Sequence, residues 1–319
     1  MDTLFADELH RKHSRTSIKR DWIFVSVASY RDPRCSQTLL ELFQTAANPE
    51  RIVVGVCQQN APADPDVITD FLGFYQSRIK VLRLPHRDAK GPTWARYLCS
   101  HMWAGEEFFL QIDAHTNFRK GWDKETKDMF HQLGTRKAVI SYYPPKDTSE
   151  ASALGGKTVV TQTAQVNHKN ELIAQGREVP ATSFPTEGKF VGACFLFARY
   201  DFLLEIPFDP YLPYLFQGEE PLLAMRLFTH GWKVYHPTHC VCTHYYTRAS
   251  DPKFWDDHKA AFDTWNPVAR HRAEFLLGLR PRDPRVPDAV YRYAETYGAG
   301  RVRTRESWHR QLGVRWELK

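Results

Sequence analysis

The sequence predicts an α/β fold built on a mixed, mainly parallel central sheet with a C-terminal helical appendage. Three observations carry this. Apolar runs of strand length alternate with amphipathic stretches of about a dozen residues from Trp22 to His115, the pattern of right-handed βαβ units. Beyond that point the apolar runs become shorter and less regular. From about residue 251 the chain turns to helical patterns and Pro/Arg-rich connections. No repeat, low-complexity block or linker interrupts it. One principal domain is expected at 21–250, with a polar tail or helix at 1–20 and a packed helical extension at 251–319.

Each element has a local reason. "DWIFVSVASYRD" gives a buried strand from Ile23 to Val27 opening into a polar loop. "CSQTLLELFQTAAN" places Leu39, Leu40, Leu42 and Phe43 at helical spacing and stops at Asn48-Pro49. "RIVVGVCQQN" is a second buried strand, "ADPDVITDFLGFYQ" a helix and "IKVLRLP" a third strand. "GPTWARYLCSHMWA" is a helix whose apolar stripe is Trp94, Tyr97, Leu98, His101 and Met102, and "EEFFLQIDAH" is the fourth strand. In the second half, "KAVISYYPP", "FVGACFLFARYDFL", "KVYHP" and "HCVCTHYY" read as strands, and "EEPLLAMRLFTHGW" as a helix.

Composition narrows the function classes. Hydrophobic residues make up 42% and charged residues 25%, ordinary for a soluble globular chain. The net charge of +6 comes from 43 basic and 37 acidic residues, and part of it lies in the tails. That modest, dispersed excess suits a polyanionic small substrate and argues against a nucleic-acid-binding surface. The six cysteines contain no CxxC pair and several sit in apolar runs, as free thiols of a reducing compartment do. The start has no apolar signal core, and no apolar run reaches the roughly 18–20 residues of a membrane span. The expectation is a cytoplasmic protein with no membrane span. Oligomeric state is not legible.

In open α/β sheets, ligands bind beyond the carboxyl ends of the strands. Attention therefore falls on "FFLQIDAHTNF", where the fourth strand ends in Asp113 and His115. In an extended segment residues i and i+2 point to one side, so both can reach one ion. A carboxylate with an imidazole suits a borderline divalent ion such as Mn²⁺. A capping aspartate and a surface histidine would look the same in isolation. Other sites lack their residues: there is no GxGxxG after a strand, no GxxxxGK[ST] and no HExxH, and "HTN" is not the HxE of a zinc deaminase.

The segments "IFVSVASYRDPRCSQTL", "AKGPTWARYL", "FFLQIDAHTNFRKGWD", "FVGACFLFAR", "GEEPLLAMRLFTHGW" and "THYY" occur in that order over roughly residues 21–250. Together they resemble GT-A glycosyltransferases, and more narrowly the hydroxyproline-directed polypeptide N-acetylglucosaminyltransferases, relatives of the mucin-type polypeptide GalNAc-transferases. The C-terminal "YGAGRVRT" also resembles that family's ending.

The resemblance implies a GT-A, Rossmann-like nucleotide-sugar fold and a UDP-sugar donor, most simply UDP-GlcNAc. It implies a Mn²⁺ or Mg²⁺ ion at a DxD-like Asp113-Ala114-His115, completed by a later histidine. His244 matches, with His239 and His236 as competitors. A small zinc site in "HCVCTH" is the other reading of that stretch, but its alternating spacing is unlike C-x₂₋₄-C ligation. Ser26, Ser29, Tyr30 and Arg31 follow the first strand where such enzymes hold the nucleoside, and Asp88 is expected near uracil or ribose. Arg96 opens a helix and can face the diphosphate. Glu219 and Glu220 precede another helix; they cap it, or they meet donor sugar and acceptor. Gly192 and Ala193 leave room for a sugar at the backbone, and Phe216 can shape the pocket or move with a lid.

The implied reaction moves GlcNAc to a hydroxyl acceptor, on a protein or peptide, with retention. If the enzyme inverts, Glu220 or Glu219 is the base candidate. Glycan and small-molecule acceptors, and a non-catalytic nucleotide-sugar-binding protein on the same fold, are the alternatives.

Overall fold

The computed structural model describes residues 11–147, 151–168, 170–313 and 316. Its centre is an eight-stranded sheet in the order β3-β2-β1-β4-β10-β6-β11-β9. Strand β1 (Lys19–Tyr30) lies between β2 (Ile52–Asn60) and β4 (Glu106–Asp113), parallel to both, and β3 (Ile79–Pro85) adds parallel to β2. Two of the elements between them are α1 (Cys35–Thr45) and α2 (Pro92–Ser100). Beyond β4 the sheet becomes mixed. Strand β10 (Phe195–Arg199) runs antiparallel to β4 and to β6 (Ala138–Ser141). Strand β11 (Lys233–His236) is parallel to β6 and antiparallel to β9 (Thr186–Gly188).

Period-two alternation divides the core between the two sheet faces. Val25, Val27, Phe108, Leu110 and Ile112 face one layer, with Leu39 and Phe43 of α1 and Phe130 of α3 (Trp122–Gln132). Phe24 and Phe109 face the other, with Met225 and Leu227 of α5 (Glu219–Thr229). That second layer also holds Leu276 of α6 (Lys259–Leu277) and Trp308 of α7 (Arg305–Leu312), so the C-terminal helices share the core of the sheet. The two-stranded pair β12 (Cys242–His244) and β5 (Thr116–Phe118) brings a distant part of the chain beside the end of β4.

Some local expectations change. The stretch read as a helix before β3 is a 3₁₀ run at Asp70–Arg78, broken at Gly73 with φ +40°. In α2 the buried side carries Thr93, Ala95, Arg96, Cys99 and Ser100 besides Tyr97, so the Trp94/Leu98 stripe is the wrong face. Small residues let α2 seat closely on the sheet, and the charge of Arg96 is matched inside. "FVGACFLFARYDFL" is strand only at Phe195–Arg199; a short helix, α4 (Asp201–Glu205), follows. Of the 1–20 tail, residues 1–10 lie outside the described residues, 11–14 are helical, and β1 already begins at Lys19. A β7–β8 hairpin (Lys157–Val166, Leu172–Pro180) stands outside the main sheet and was not foreseen. All six cysteines are buried and free. No helix among the described residues is long and apolar enough to cross a membrane.

Candidate active site

The carboxyl ends of β1, β2 and β4 open into a cavity of about 510 Å³. Asp113 terminates β4 at its rim, partly exposed at 26% of its side chain. His115 follows on the same side. His244 arrives from β12, whose pairing with β5 sets Thr116 opposite His244. The ligand atoms of Asp113, His115 and His244 lie within 4.8 Å of one another, and the two imidazole centroids are 4.6 Å apart.

The surroundings prepare these groups for a cation. His115 Nδ1 lies 2.7 Å from the buried Asp32 carboxylate. That contact assigns the proton to Nδ1 and leaves the Nε2 lone pair free, the arrangement seen behind many metal-binding histidines. His244 Nε2 is 3.0 Å from Asp113 Oδ2, while its buried Nδ1 has no partner. Among the described residues this is the cluster whose donor set, one carboxylate and two imidazoles, suits a divalent ion of Mn²⁺ or Mg²⁺ type. His239 instead lies 2.9 Å from Glu125, and His236 is sealed in the core between Ser141 and Thr161.

Arg96 lies beneath the cluster. It donates to Asp113 Oδ1 at 2.9 Å and to Glu219 Oε1, with only 6% of its side chain exposed. Burial alone would lower its pKa, but the two carboxylates outweigh burial and raise it. Burial works against ionised Asp113 as well, yet the hydrogen bond from His244 and the charge of Arg96 hold it well below the usual range. For Glu219 burial wins over Arg96 and the pKa rises. Glu220 is pushed up to about 7, mainly by burial, although the Ala193 amide donates to it at 2.7 Å and the Tyr143 hydroxyl donates to its other oxygen.

Of the other residues expected here, Tyr30, Ala193 and Phe216 line the cavity. Ser26 and Ser29 do not. Both are fully buried on opposite faces of β1, against the thiols of Cys99 and Cys35. Arg31 pairs with Asp64 at 2.8 Å and Asp257 at 2.9 Å and does not line the cavity. Asp88 is exposed in a 3₁₀ turn away from the lining, and Ala114 and Gly192 are buried off it.

Sequence reasoning missed Asp32, Tyr143, Arg248, Lys253 and Trp255, all of which line the cavity. Asp32 also pairs with Arg248 at 3.3 Å. Lys253 donates to the carbonyls of Arg248 and Asp251, so among the described residues it is a cation in the cavity without a carboxylate partner. Trp255 meets Phe216 edge-on at 4.6 Å and closes the outer wall. Asp32 alone had a local signal: it is the acid of "SYRD" two residues beyond Tyr30.

A mixed sheet with this pocket at the carboxyl ends of its parallel strands defines a GT-A glycosyltransferase fold. The sequence matches the family described as Glycosyltransferase (GlcNAc) over residues 22–72 and 67–317, and the chain belongs to that family. The structure is similar to GalNAc-T7 solved with UDP, GalNAc and Mn²⁺, at a TM-score of 0.55 and 13% identity, covering 93% of this chain and 58% of that one. The chain thus spans little more than half of that relative's length. TarS 1–349 of S. aureus in complex with UDP-GlcNAc gives 0.46 and 13%, covering 72% and 60%; the mannosyltransferase PcManGT of Pyrobaculum calidifontis gives 0.46 and 11%, covering 92% and 76%. These last two are too distant to add to the fold argument. No curated protein sequence matches the chain.

Proposed function

We propose that this chain is a metal-dependent glycosyltransferase that moves GlcNAc from UDP-GlcNAc to a hydroxyl on a protein or peptide, with retention of anomeric configuration. One observation carries the reading: Asp113, His115 and His244 converge at the mouth of a cavity large enough for a nucleotide sugar, with Arg96 and Asp32 fixing two of the three from behind. Family membership supports sugar transfer, and the resemblance to hydroxyproline-directed enzymes makes a prolyl hydroxyl the first acceptor to test. Residues 21–250 form the catalytic domain in this reading. The 251–319 extension completes its pocket with Pro252, Lys253, Phe254 and Trp255.

Asp113, His115 and His244 would hold a Mn²⁺ or Mg²⁺ ion. When bound, it offsets the negative charge of the donor diphosphate. Arg96 keeps Asp113 ionised and aims it, and Asp32 orients the His115 ring through Nδ1. Lys253 turns from backbone carbonyls to a phosphate oxygen. Tyr30 offers a ring at the nucleoside end, where it is braced by Phe254 edge-on at 5.6 Å and by its hydroxyl on Asp257 at 2.6 Å. Glu219 stays committed to Arg96 and faces the donor sugar. Ionised Glu220 accepts a hydrogen bond from the acceptor hydroxyl and orients it. The acceptor oxygen bonds the anomeric carbon as the bond from that carbon to the diphosphate breaks. UDP departs, and the hydroxyl proton leaves on its phosphate oxygen.

Calorimetric titration of UDP tests this. Micromolar binding is expected with Mn²⁺, lost with EDTA and lost in Asp113→Ala. A screen of UDP-sugars for hydrolysis then ranks the donors, with UDP-GlcNAc expected first. No UDP binding in any of these conditions refutes the donor site.

A further inference from the structure

Two segments of the chain close on Glu220 from opposite sides. One leaves β6. Its Tyr142 is sealed in the core, sharing its hydroxyl with Cys242 Sγ at 3.2 Å, and the next residue, Tyr143, faces the cavity. Pro144 and Pro145 follow, and a residue before proline is kept in extended conformations. The Pro144 carbonyl accepts from the Tyr246 hydroxyl at 2.8 Å and the Pro145 carbonyl from the His244 amide at 2.9 Å, so this segment is tied along β12. The other segment leads into β10. Its Gly192 amide donates to Ser141 Oγ at 2.9 Å, and a Cβ on Gly192 would stand 2.6 Å from the Tyr142 carbonyl oxygen and 3.2 Å from Tyr143 Cδ1. Glycine there lets the two backbones approach as no side chain would. The approach brings two donors from distant parts of the chain onto one carboxylate.

The Ala193 amide donates to Glu220 Oε1 at 2.7 Å, and the Tyr143 hydroxyl donates to Oε2. Among the described residues these are the hydrogen bonds that Glu220 receives. The charged neighbours are committed elsewhere. Glu219 on α5 and Arg96 on α2 pair with each other, and Asp209, which lines a chamber of about 40 Å³ behind Glu220 together with Arg226, is matched by Arg272 at 2.8 Å. Burial raises the pKa of Cys194 and of Tyr246, so both stay neutral. Burial also raises that of Tyr143, and the adjacent Glu220 charge adds to it, so Tyr143 keeps its proton and remains a donor. Hydrogen bonds to the ionised form of a carboxyl favour that form against desolvation. Of the two donors to Glu220, one is backbone, and Tyr143 is the side chain.

We propose that Tyr143 is a positioning residue of the transfer reaction: its hydroxyl, working against the Ala193 amide, keeps Glu220 ionised near neutral pH and turns the remaining lone pairs of that carboxylate to the acceptor hydroxyl. This rests on the transferase reading above and adds the side chain through which Glu220 is set. Tyr143 acts through Glu220 and transfers no proton itself.

The test compares the full chain with Tyr143→Phe, which keeps the ring and removes the hydroxyl, and with Tyr246→Phe, which removes a hydroxyl of the same cavity that bonds the Pro144 carbonyl. Glutamate labelled with ¹³C at the carboxyl carbon gives the titration midpoint of Glu220 by NMR, assigned by the signal missing in Glu220→Gln. A hydrogen bond to a charged group is worth about 10-fold or more in the proton equilibrium, so Tyr143→Phe is expected to raise the midpoint by about one pH unit. Tyr246→Phe is expected to leave it in place. Hydrolysis of UDP-GlcNAc, with water as the acceptor, should fall about 5-fold at pH 7 in Tyr143→Phe, as the ionised fraction of Glu220 falls, and recover most of the wild-type rate by pH 9. A packing defect would lower the rate alike at both. An unmoved midpoint in Tyr143→Phe overturns the proposal. So does an equal shift in Tyr246→Phe, and so does a loss of hydrolysis that is the same at pH 7 and pH 9. Absence of Mn²⁺-dependent UDP binding by the wild type overturns the transferase reading instead, and the NMR midpoints still decide whether Tyr143 sets the charge of Glu220.

Discussion

Replacing Arg96 by methionine is the sharpest probe of the site, because one guanidinium serves two carboxylates. Arg96→Met keeps the helix and most of the side-chain volume but leaves Glu219 and Asp113 without their shared cation. Removing one partner of a buried ion pair costs about 3–5 kcal/mol. Asp113 keeps 26% of its side chain in solvent and retains His244, and Glu219 can take up a proton, so the lower end, about 3 kcal/mol, applies. An unfolding entropy of about 2.1 cal/mol/K per residue over 319 residues gives about 0.7 kcal/mol/K, so the melting temperature should fall by about 4–5 °C. The penalty should depend on pH with a definite sign. Burial already raises the Glu219 pKa, and without Arg96 it rises further. A carboxyl with a raised folded-state pKa contributes stability at low pH that is lost as pH rises through that value. Asp113 has the opposite shift: its depressed pKa stabilises the fold above the ordinary aspartate range and is lost on acidification, and the variant gives up part of that gain. The Glu219 effect makes Arg96→Met more damaging at pH 8 than at pH 5, whereas the Asp113 loss is the same at both, since both lie above the ordinary aspartate range. Thermal unfolding in EDTA at the two pH values reads this directly. An equal loss at both, or none, would refute the claim that Arg96 holds two ionised carboxylates in place.

Three further outcomes follow from the same geometry. Asp32→Asn keeps the shape but withdraws the charge behind His115 Nδ1, so Mn²⁺ affinity should fall by about 10–100-fold while the fold persists; calorimetric Mn²⁺ titration checks it. His244→Ala should abolish metal-dependent UDP binding, whereas His239→Ala should leave it intact, because His239 faces Glu125 away from the cluster; the same titration separates the two. Transfer should rise with pH through about 7 as Glu220 ionises, and Glu220→Gln should flatten that profile and slow transfer by about 10–100-fold, the worth of a hydrogen bond to a charged group; steady-state rates from pH 5.5 to 8.5 report it.

The first half of the fold was legible because strand and helix periods differ, and Val25, Leu110 and Ile112 lie on the predicted buried strands. Asp113 and His115 were legible because two chemically matched residues stand at i and i+2 where a strand leaves the core. Arg96 and His244 reached the same pocket, but only their resemblance to a family pattern had pointed there. The α2 face was misread for a physical reason: its apolar stripe suggested burial of Trp94, whereas the site needs Arg96 inside and matches its charge there with Asp113 and Glu219. Charge pairing across long sequence distances leaves no local periodicity. The same holds for Arg31, which looked free for phosphate until the fold set Asp64 and Asp257 against it. Lys253 and Trp255 belong to a segment whose composition says nothing of the pocket it closes.

The carboxylates of the pocket are sorted by surroundings rather than by type. Asp113 receives His244 and Arg96 and is held ionised, as a group meant to face a cation must be. Glu220, an α5 neighbour of Glu219, receives only a backbone amide and a tyrosine hydroxyl and stays near neutrality. Groups whose pKa values are driven apart within one pocket take different roles, one fixed in charge and one able to exchange a proton or a hydrogen bond near physiological pH. The partition depends on Arg96 pairing with Glu219 and leaving Glu220 alone. A guanidinium shared with Glu220 would hold it ionised at all working pH and erase the distinction. The single turn that opens α5, by aiming adjacent glutamates at different partners, is therefore as much a part of the site as Asp113, His115 and His244.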